Sequence, residues 1–303
     1  MISPKMPARE AILKVLTRLL ARARRNEIGI FQDADAEFLH KYRVSLRKTR
    51  SLLSLFKDVF PDAKTVEWKK KLGDLSRTTN PLRDLDVFFL SRETLQEFLP
   101  VSLRSGLDVF LEKLSKARRK ESLKVAALVK SASYNSVVTR LETQWREALT
   151  LDASASSDLP ISKVAGKAIT KCFGRISKIY TQLDIQTPDE NVHVLRIECK
   201  KMRYLLESFG RLFSDCDIER INRQLAKLQN RLGRYNDISI QQVYLLEFSK
   251  KMTRNRDDQL TLTLGCLIGG LHHEQAILKK KVLDALEDFC RCENARLTKA
   301  LAK

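Results

Sequence analysis

The chain has 303 residues and a net charge of +19, with 56 Lys and Arg against 37 Asp and Glu. This length is enough to bury a core in one large domain or in two of typical size. The charge favours polyanionic partners such as nucleic acid, an acidic membrane surface or a phosphate polymer. No apolar run of about 18 residues occurs, which argues against membrane insertion. The N-terminus also has no apolar signal core, so we expect a cytoplasmic protein.

Apolar residues recur at three- and four-residue spacing nearly throughout, and Gly and Pro are few, which predicts an all-α protein. In chain order, we predict helices over 7–27, 33–58, 62–79, 82–97, 101–130, 134–150, 160–183, 189–213, 216–232, 236–255 and 257–290, with a helical tail to 302. Residues 151–160 are small, polar and end in proline, which is typical of a linker. We therefore predict a first helical half over 1–150, a linker over 151–160 and a second half over 161–303.

One pattern occurs twice in the chain, at an offset of 153 residues. The first copy is His40-Lys-Tyr-Arg43-Val-Ser-Leu-Arg47-Lys48-Thr-Arg50, and the second is His193-Val-Leu-Arg196-Ile-Glu-Cys-Lys200-Lys201-Met-Arg203. Over residues 40–87 about a quarter of the positions are identical under this offset. A repeat of this kind decides the architecture. We expect two four-helix-bundle-like halves about a pseudo-twofold axis.

On the helix predicted over 33–58, basic and apolar side chains occupy separate sectors. At about 100° per residue, Arg43, Arg47 and Arg50 lie within about 80° of His40. Like charges on one helix face repel each other, so a stripe held in both copies suggests anion binding. A solvent-exposed face with acidic partners on neighbouring helices is the alternative. The opposite faces are predicted to be core: Tyr42, Leu46, Leu53, Phe56 and Phe60, and Leu195, Cys199, Leu206, Phe209 and Phe213.

We predict that these basic side chains donate hydrogen bonds to an anion. Arginine offers a forked donor suited to phosphate. A bound polyanion would hold each histidine protonated, so affinity should increase on acidification. The helices predicted over 7–27 and 160–183 carry a similar basic arc. The candidate site residues are Arg18, Arg22, Arg25, His40, Arg43, Arg47, Lys48, Arg50, Lys171, Arg175, Lys178, His193, Arg196, Lys200, Lys201 and Arg203, with Lys48 and Lys201 ranked second because they lie off the main stripe.

A second motif is also duplicated, as Asn80-Pro-Leu-Arg-Asp84 and Gly233-Arg-Tyr-Asn-Asp237. Proline after Asn80 indicates a helix start, where an acid in the first turn complements the helix dipole. We therefore interpret Asp84 and Asp237 as structural residues that cap a helix or pair with a basic neighbour. The alternative is a catalytic acid, for which no partner base is evident.

Several catalytic chemistries lack their motifs in this chain. There is no Walker loop, no Gly-rich dinucleotide turn and no nucleophile elbow. No carboxylate cluster assembles that would hold a metal ion for phosphoryl transfer. The six cysteines all lie in the second half and are interpreted as reduced, mostly buried thiols. We expect no catalytic residue, no metal and no cofactor.

The duplicated helices, together with the segments 81–87 and 232–237, resemble the CHAD family, the conserved histidine α-helical domains, over nearly the whole chain. The resemblance implies two four-helix-bundle halves about a pseudo-twofold axis, with basic residues lining a central groove or pore. It also implies binding of inorganic polyphosphate and a location on polyphosphate granules. Lys200 and Asn236 depart from the pattern of the first copy, so the second half is the weaker-binding candidate.

The resulting prediction is a non-enzymatic protein that binds inorganic polyphosphate with both basic stripes. The alternative is a nucleic-acid-binding protein, specifically an RNA-binding one, that uses the same surface. Against it, aromatic residues make up 7% of the chain, and those in the motifs fall on the core face, away from any base. An enzyme acting on polyphosphate and a granule scaffold with a protein partner are further alternatives.

Overall fold

In the computed structural model, the described residues are 2–150, 156–213, 215–252 and 257–301, without the side chains of 215–217 and 292–293. Within these ranges the regular structure is helical, and the only strand-like pairing is an isolated bridge, so the all-α prediction is confirmed. The α-helices are α1 Ala8–Arg24, α2 Glu27–Phe31, α3 Ala36–Leu55, α4 Asp62–Thr78, α5 Asn80–Leu90, α6 Arg92–Glu97, α7 Arg104–Lys130, α8 Ala132–Glu147, α9 Ile161–Tyr180, α10 Asp189–Phe209, α11 Asp215–Lys251, α12 Asp258–Cys290 and α13 Cys292–Ala300. Among these helices, none combines the length and the apolar character that crossing a bilayer requires.

The two helices that carry the basic stripes, α3 and α10, begin with local signals in the sequence. The Asp35 side chain caps α3 by accepting a hydrogen bond from the backbone N–H of Glu37 at 2.7 Å. Helix α10 follows Pro188, and Asp189 and Glu190 in its first turn complement the helix dipole. Both helices bury the apolar face predicted for them, except that Phe213, beyond α10, is only half-buried.

Corresponding helices of the two halves have corresponding neighbours. Helix α3 packs between α1 and α4, and α10 packs between α9 and α11. Helices α3 and α10 also contact each other, and there the Phe56 ring meets the Phe209 ring edge to face at 5.6 Å. An aromatic pair of this kind contributes about 0.5–1.5 kcal/mol beyond the area it buries. The contact between the halves is therefore part of the hydrophobic core.

Two contacts join residues that are equivalent under the 153-residue offset. One is the pair Phe56 and Phe209, and the other is the antiparallel bridge between Pro7 and Pro160. A residue that touches its own equivalent lies close to the symmetry axis that relates the two copies. These contacts favour the pseudo-twofold relation, which stays a prediction.

The segment before α1 runs alongside the segment before α9. The backbone N–H of Ala8 donates to the carbonyl of Leu159, and the N–H of Ile161 donates to the carbonyl of Met6, both at 2.9 Å. Residues 151–155 of the predicted linker lie outside the described residues, whereas 156–160 form this pairing. The division into 1–150, 151–160 and 161–303 stays a prediction.

One predicted helix break is wrong. The sequence predicts a break over 233–235, but α11 runs through this point without interruption. In the first half the equivalent position is a break, because α4 ends at Thr78 and α5 begins at Asn80 with Pro81 in its first turn. Proline has no N–H to donate and clashes with the preceding turn, whereas Arg234, at the equivalent position, continues the helix. A single interior glycine, Gly233, is not enough to end it.

Further differences concern the ends of the remaining helices. Helix α1 ends at Arg24, and the short helix α2 lies within the following residues 25–35. Arg25 therefore lies just after α1 instead of within it. The helix predicted over 82–97 is divided at Ser91 into α5 and α6. The other predicted helices agree with the structure to within four residues at each end.

A partly buried ion-pair cluster fixes α5 relative to α7 and to the turn before α3. The Arg118 guanidinium on α7 donates from Nε to Asp86 on α5 at 2.7 Å and from both terminal nitrogens to Asp33 at 2.8 and 2.9 Å. Asp33 adopts a positive φ of 49°, a region in which Asp is tolerated better than most residues. Because α5 also contributes side chains to the cleft described next, this cluster helps to position that cleft.

Candidate functional site

A cleft of about 530 Å³ lies between α3 and α10, at the contact between the two halves. The stripes predicted on these helices face each other across it. Helices α4, α5 and α11 complete its walls. The residues lining the cleft are Arg43, Arg47, Arg50, Ser51, Ser54, Lys69, Asn80, Asp84, His193, Arg196, Ile197, Lys200, Lys201, Tyr204, Asn236 and Ile240. Seven of them are Lys or Arg, and Asp84 is the one carboxylate, so the cleft has a strong positive charge.

Six of the seven lysines and arginines form no ion pair in the described part of the chain, and one of these six is Lys69 on α4. The other five lie on α3 and α10, and we call them the cleft cations: Arg43, Arg47, Arg50, Arg196 and Lys200. Over the described ranges, none of them belongs to an ion pair. They include the equivalent pairs Arg43 with Arg196 and Arg47 with Lys200. The structure therefore brings the two stripes together around one shared volume.

Four other predicted basic residues on α3, α9 and α10 are paired with glutamates. Glu207 accepts from Lys48 at 3.1 Å and from Arg203 at 2.6 Å. Glu198 pairs with Lys201 at 2.5 Å and with Arg175 at 3.5 Å. For these residues the alternative interpretation, a charged face with acidic partners, describes the structure better. Among the described residues, only the inner part of each stripe is left without an ion-pair partner.

The pKa values of four of the cleft cations are lowered by burial and by repulsion between neighbouring positive charges. Burial, followed by repulsion from Arg47 and Arg196, lowers the pKa of Lys200 to about 7. Burial and the charge of Arg47 likewise lower the pKa of Arg43 to about 10. Burial also lowers the pKa values of Arg50 and Arg196. Each shift disfavours the charged form, so a bound anion would relieve a repulsion that the folded chain maintains.

Several guanidinium nitrogens in the cleft lack a hydrogen-bond acceptor. The Nε atoms of Arg43, Arg50 and Arg196 are buried and have no partner among the described residues. One terminal nitrogen of Arg43 donates to the Ser76 carbonyl at 2.8 Å and to Thr79 Oγ1 at 2.7 Å, which fixes this side chain against the end of α4. A buried donor without a partner costs about 1–3 kcal/mol, and an acceptor from a ligand would remove that cost.

The two histidines differ in their surroundings. His193 is exposed and lines the cleft. His40 is half-buried and is not among the lining residues. Burial, followed by the charge of Arg83, lowers the pKa of His40, so this imidazole is neutral at neutral pH in the free protein. Of the two, His193 is the one placed to donate directly to a ligand in the cleft.

The structure does not bring the basic arcs of α1 and α9 into the cleft. Arg18 lines a separate groove beside Trp145 and Asp158, and Lys171 lines another beside Leu55 and Lys163. Arg22, Arg25 and Lys178 are exposed and do not line the cleft. The helical wheel places these residues correctly on the outer face of their helices. It gives no information on which neighbouring helix that face meets.

Some residues of the cleft were not among the predicted site residues. Lys69 on α4 and Tyr204 on α10 line it, as do the amides Asn80 and Asn236. The run Lys69-Lys70-Lys71 was a detectable signal of positive charge, but three lysines on one helix do not indicate which of them faces a cleft. Asn80 and Asn236 lie within the second duplicated motif. That motif therefore contributes to the same cleft as the first.

The aspartates of the second motif do not lie in a first helical turn. Helix α5 has no acidic residue in its first turn, since Asp84 follows later, and Asp237 lies in the middle of α11. The interpretation as dipole-complementing residues is therefore wrong, because it assumed helix starts that occur elsewhere or not at all. Burial raises the pKa of Asp84, while the nearby charges of Arg43 and Arg83 oppose that rise.

The sequence and the fold both match known proteins. The family model described as "CHAD domain" matches residues 14–246. The crystal structure of the CHAD domain from the plant Ricinus communis is similar in fold, with a TM-score of 0.79, 23% identity and coverage of 95% of this chain and 94% of that one. PptA from Streptomyces chartreusis is also similar, with a TM-score of 0.70, 14% identity and coverage of 93% and 99%. No curated protein matches the sequence significantly. Since the family match covers well over half of its length, the chain belongs to the CHAD family.

Proposed function

We propose that this protein binds inorganic polyphosphate in the cleft between α3 and α10, without cleaving it. The observation that carries the proposal is the set of five cleft cations, which converge from both halves and form no ion pair in the described part of the chain. A phosphate polymer supplies closely spaced charges with no base to be read. Arginine forks and a lysine, held by helices, are suited to such a ligand.

The composition of the cleft supports the non-catalytic part of the proposal. Its one carboxylate, Asp84, is accompanied by cations and not by a second acid. Enzymes of phosphoryl transfer use divalent ions held by side chains to stabilise the developing charge. Among the described residues, no group of His, Cys, Asp and Glu is arranged to hold such an ion. We expect no phosphate release when the protein is incubated with polyphosphate and Mg²⁺ or Mn²⁺, and a steady release would contradict this.

A pair of variants with equal charge tests the location of the site. The cleft variant is Arg47→Gln/Arg196→Gln/Lys200→Gln, and the outer variant is Arg18→Gln/Arg22→Gln/Arg25→Gln. Each variant replaces three basic side chains by glutamine, but only the first removes cleft cations. By titration calorimetry with long-chain polyphosphate, we expect the cleft variant to lose about 100-fold or more in affinity, which is about 3 kcal/mol.

The outer variant should lose less than about threefold, since exposed charges away from the site act only through the general field. Equal losses in both variants would mean that polyphosphate binds to the basic surface as a whole, and the cleft would be rejected as the site. Circular dichroism checks that both variants keep their helical content.

Competition distinguishes polyphosphate from nucleic acid. We expect a long phosphate polymer to displace a bound single-stranded RNA at a much lower concentration of phosphate groups than RNA needs to displace the polymer. The reason is that the cleft offers cations and few exposed rings on which bases could stack. If RNA is the better competitor, the nucleic-acid alternative replaces the proposal.

Binding of a long polymer would also concentrate the protein on polyphosphate granules. The cleft variant and the outer variant provide the test in cells that accumulate such granules. A fluorescent fusion of the outer variant should co-localise with the granules, whereas a fusion of the cleft variant should be diffuse. Granule localisation of both variants would show that a feature other than the cleft recruits the protein.

A further inference from the structure

A second cavity, which we call the side cavity, adjoins the cleft between α10 and α11. Its volume is about 520 Å³, within the range of about 300–1,000 Å³ that is usual for small-molecule sites. Five residues line both the side cavity and the cleft: Asp84, His193, Arg196, Asn236 and Ile240. A ligand in the side cavity can therefore extend an anionic group to Arg196 and into the cleft.

The walls of the side cavity are apolar and partly aromatic. They include Val192, Leu232 and Val243, together with Tyr235 and Tyr244. The Tyr244 ring packs against the Phe88 ring at 5.0 Å, and the Tyr235 hydroxyl donates to Asp189, so both rings are held in place. Fixed rings beside aliphatic side chains form the kind of surface that suits a flat, aromatic ligand group.

Carboxylates at the side cavity supply hydrogen-bond acceptors. Asp189 is already engaged, since it accepts from Tyr235 and from Gln275 at 2.9 Å. Glu190 and Glu247 also line the side cavity, are exposed, and form no ion pair within the described residues. Ionised carboxylates accept hydrogen bonds from ribose hydroxyls and from exocyclic amino groups. Glu190 and Glu247 would also repel a second anionic group at this end of the ligand.

The tyrosines that line the side cavity lie in the second half of the chain and have no aromatic equivalents in the first. Under the 153-residue offset, His193 and Arg196 have the equivalents His40 and Arg43. The distinctive lining residues do not: Tyr235 corresponds to Leu82, Tyr244 to Ser91, Asp189 to Ala36 and Glu247 to Thr94. The repeat thus duplicates the cationic stripe but not the tyrosines, and of the acidic residues Asp189, Glu190 and Glu247 only Glu190 has an acidic equivalent, Glu37. A role in phosphate binding shared by both halves does not account for the two tyrosines.

We propose that the side cavity binds the nucleoside of a nucleoside polyphosphate, whose phosphates extend into the cleft at Arg196 and His193. The base lies against the tyrosine and valine side chains, and the acidic residues at the side cavity accept hydrogen bonds from the ribose or the base. The inference rests on the proposed function, because the phosphates use cations of the same cleft. It goes beyond that function by adding a recognition site for an organic group.

The test compares nucleotides with a phosphate chain of the same length. Titration calorimetry would measure the affinities for ATP, GTP and inorganic tripolyphosphate. All titrations contain EDTA, so that differences in metal chelation do not affect the comparison. We expect the wild type to bind at least one nucleotide about tenfold more tightly than tripolyphosphate. Val243→Trp fills the side cavity and should abolish this preference, while the affinity for tripolyphosphate stays unchanged. Val243 is 58% exposed and does not line the cleft.

Leu90→Trp is the matched control, because Leu90 is the equivalent of Val243 in the first half and is 66% exposed. It should retain the nucleotide preference. Equal affinities of the wild type for nucleotides and tripolyphosphate would overturn the proposal, as would a preference that survives Val243→Trp. Failure of the proposed function is distinct, since long-chain polyphosphate would then not bind to the wild type at all.

Photolabelling of the wild type gives a second measurement that does not depend on a variant. With 8-azido-ATP, the expected labelled peptides come from α10 and α11, between residues 189 and 247. An excess of tripolyphosphate should reduce the labelling, because both ligands need Arg196. Labelling confined to other helices would overturn the proposal.

Discussion

Lys200 and Lys201 are neighbours in sequence with opposite electrostatic surroundings. Lys201 is paired with Glu198 at 2.5 Å, whereas Lys200 forms no ion pair among the described residues and is surrounded by Arg47 and Arg196. The pKa of Lys200 is therefore lowered to about 7 by burial and by repulsion between like charges. A cation in such a position decreases stability and is useful only when an anion is bound.

The first prediction concerns the stability of the free protein at pH 7. The folded chain holds the Lys200 proton less tightly than the unfolded chain, so this residue lowers stability at neutral pH. The penalty is complete below pH 7 and is relieved as the pH rises towards the unfolded pKa of 10.5. Lys200→Met should thus raise the free energy of unfolding by about 1–3 kcal/mol and weaken polyphosphate binding.

Lys201→Met is the matched control and should lower the free energy of unfolding by about 1 kcal/mol or more, because it removes a partner of the buried Glu198 carboxylate. Urea denaturation of both variants measures the two changes. If both variants change stability in the same direction, the distinction between a paired and an unpaired lysine is wrong.

The second prediction concerns protons taken up on binding. The pKa values of Lys200 and His40 are both lowered in the free protein. A polyanion favours their charged forms and raises both values, so binding takes up protons in the interval between the free and bound pKa values. For Lys200 this interval begins at about pH 7, and affinity should fall as the pH rises through it. Calorimetry at pH 8 in two buffers of different ionisation enthalpy should report net uptake, which Lys200→Met should reduce. Zero uptake would contradict the prediction.

At the scale of the helix, the two copies of the repeat differ at one backbone N–H group, which proline lacks in the first copy. Pro81 separates α4 from α5, while Arg234 at the equivalent position continues α11. The sequence pattern around Gly233 looked like a helix boundary because glycine often follows a helix. The residues around it keep the helical spacing of buried positions, Leu232, Tyr235 and Ile238. Burial of that face outweighs the low helix propensity of one glycine.

The third prediction uses two helical glycines. A Cβ at Gly233 would have no heavy atom within 4 Å, so Gly233→Ala should raise the free energy of unfolding by about 0.5–1 kcal/mol through better helix propensity. A Cβ at Gly106 would overlap the Thr263 side chain on α12, so Gly106→Ala should destabilise by about 1–3 kcal/mol. Thermal denaturation measures both changes. A loss of stability in Gly233→Ala would mean that α11 is not a regular helix at this point.

At the scale of the whole molecule, the net charge of +19 is divided into two parts with different roles. Most lysines and arginines are exposed and contribute a general field that attracts polyanions from a distance. The five cleft cations contribute direct contacts, which require the two halves to pack against each other. The hydrophobic contact of Phe56 with Phe209, which holds α3 against α10, is thus also what brings the two stripes together.

The fourth prediction concerns the salt dependence of polyphosphate binding. When log affinity is plotted against log salt concentration, counterion release gives a slope of about −0.7 for each phosphate of a single strand that is neutralised. Five cleft cations therefore correspond to a slope of about −3 to −4. The cleft variant, which keeps two of the five, should show about −1 to −2. The outer variant should keep the slope of the wild type. Titrations between low and high NaCl measure it, and identical slopes in all three proteins would contradict the assignment of contacts.

The sequence allowed a good part of the lining of the cleft to be predicted. The spacing of Arg43, Arg47 and Arg50, repeated around Arg196, identified the stripes because a helix has a fixed angular period. The same arithmetic placed Lys48 and Lys201 off the main stripe and Arg203 on it, and all three are paired with Glu198 or Glu207. Those glutamates were visible in the sequence, but the pairing of Lys48 with Glu207 joins two helices from different halves.

By itself, the sequence determined the all-α class, the duplicated pattern, the core face of each central helix and the basic character of the opposite face. These features depend on local periodicity, which a linear chain records directly. Only the tertiary structure decided which basic residues share one cleft, which are neutralised, and that an aromatic and acidic side cavity adjoins the second stripe. The physical reason is that the distances between helices decide which side chains form ion pairs and hydrogen bonds. Those distances depend on how buried faces pack together when they belong to helices about 150 residues apart in the sequence.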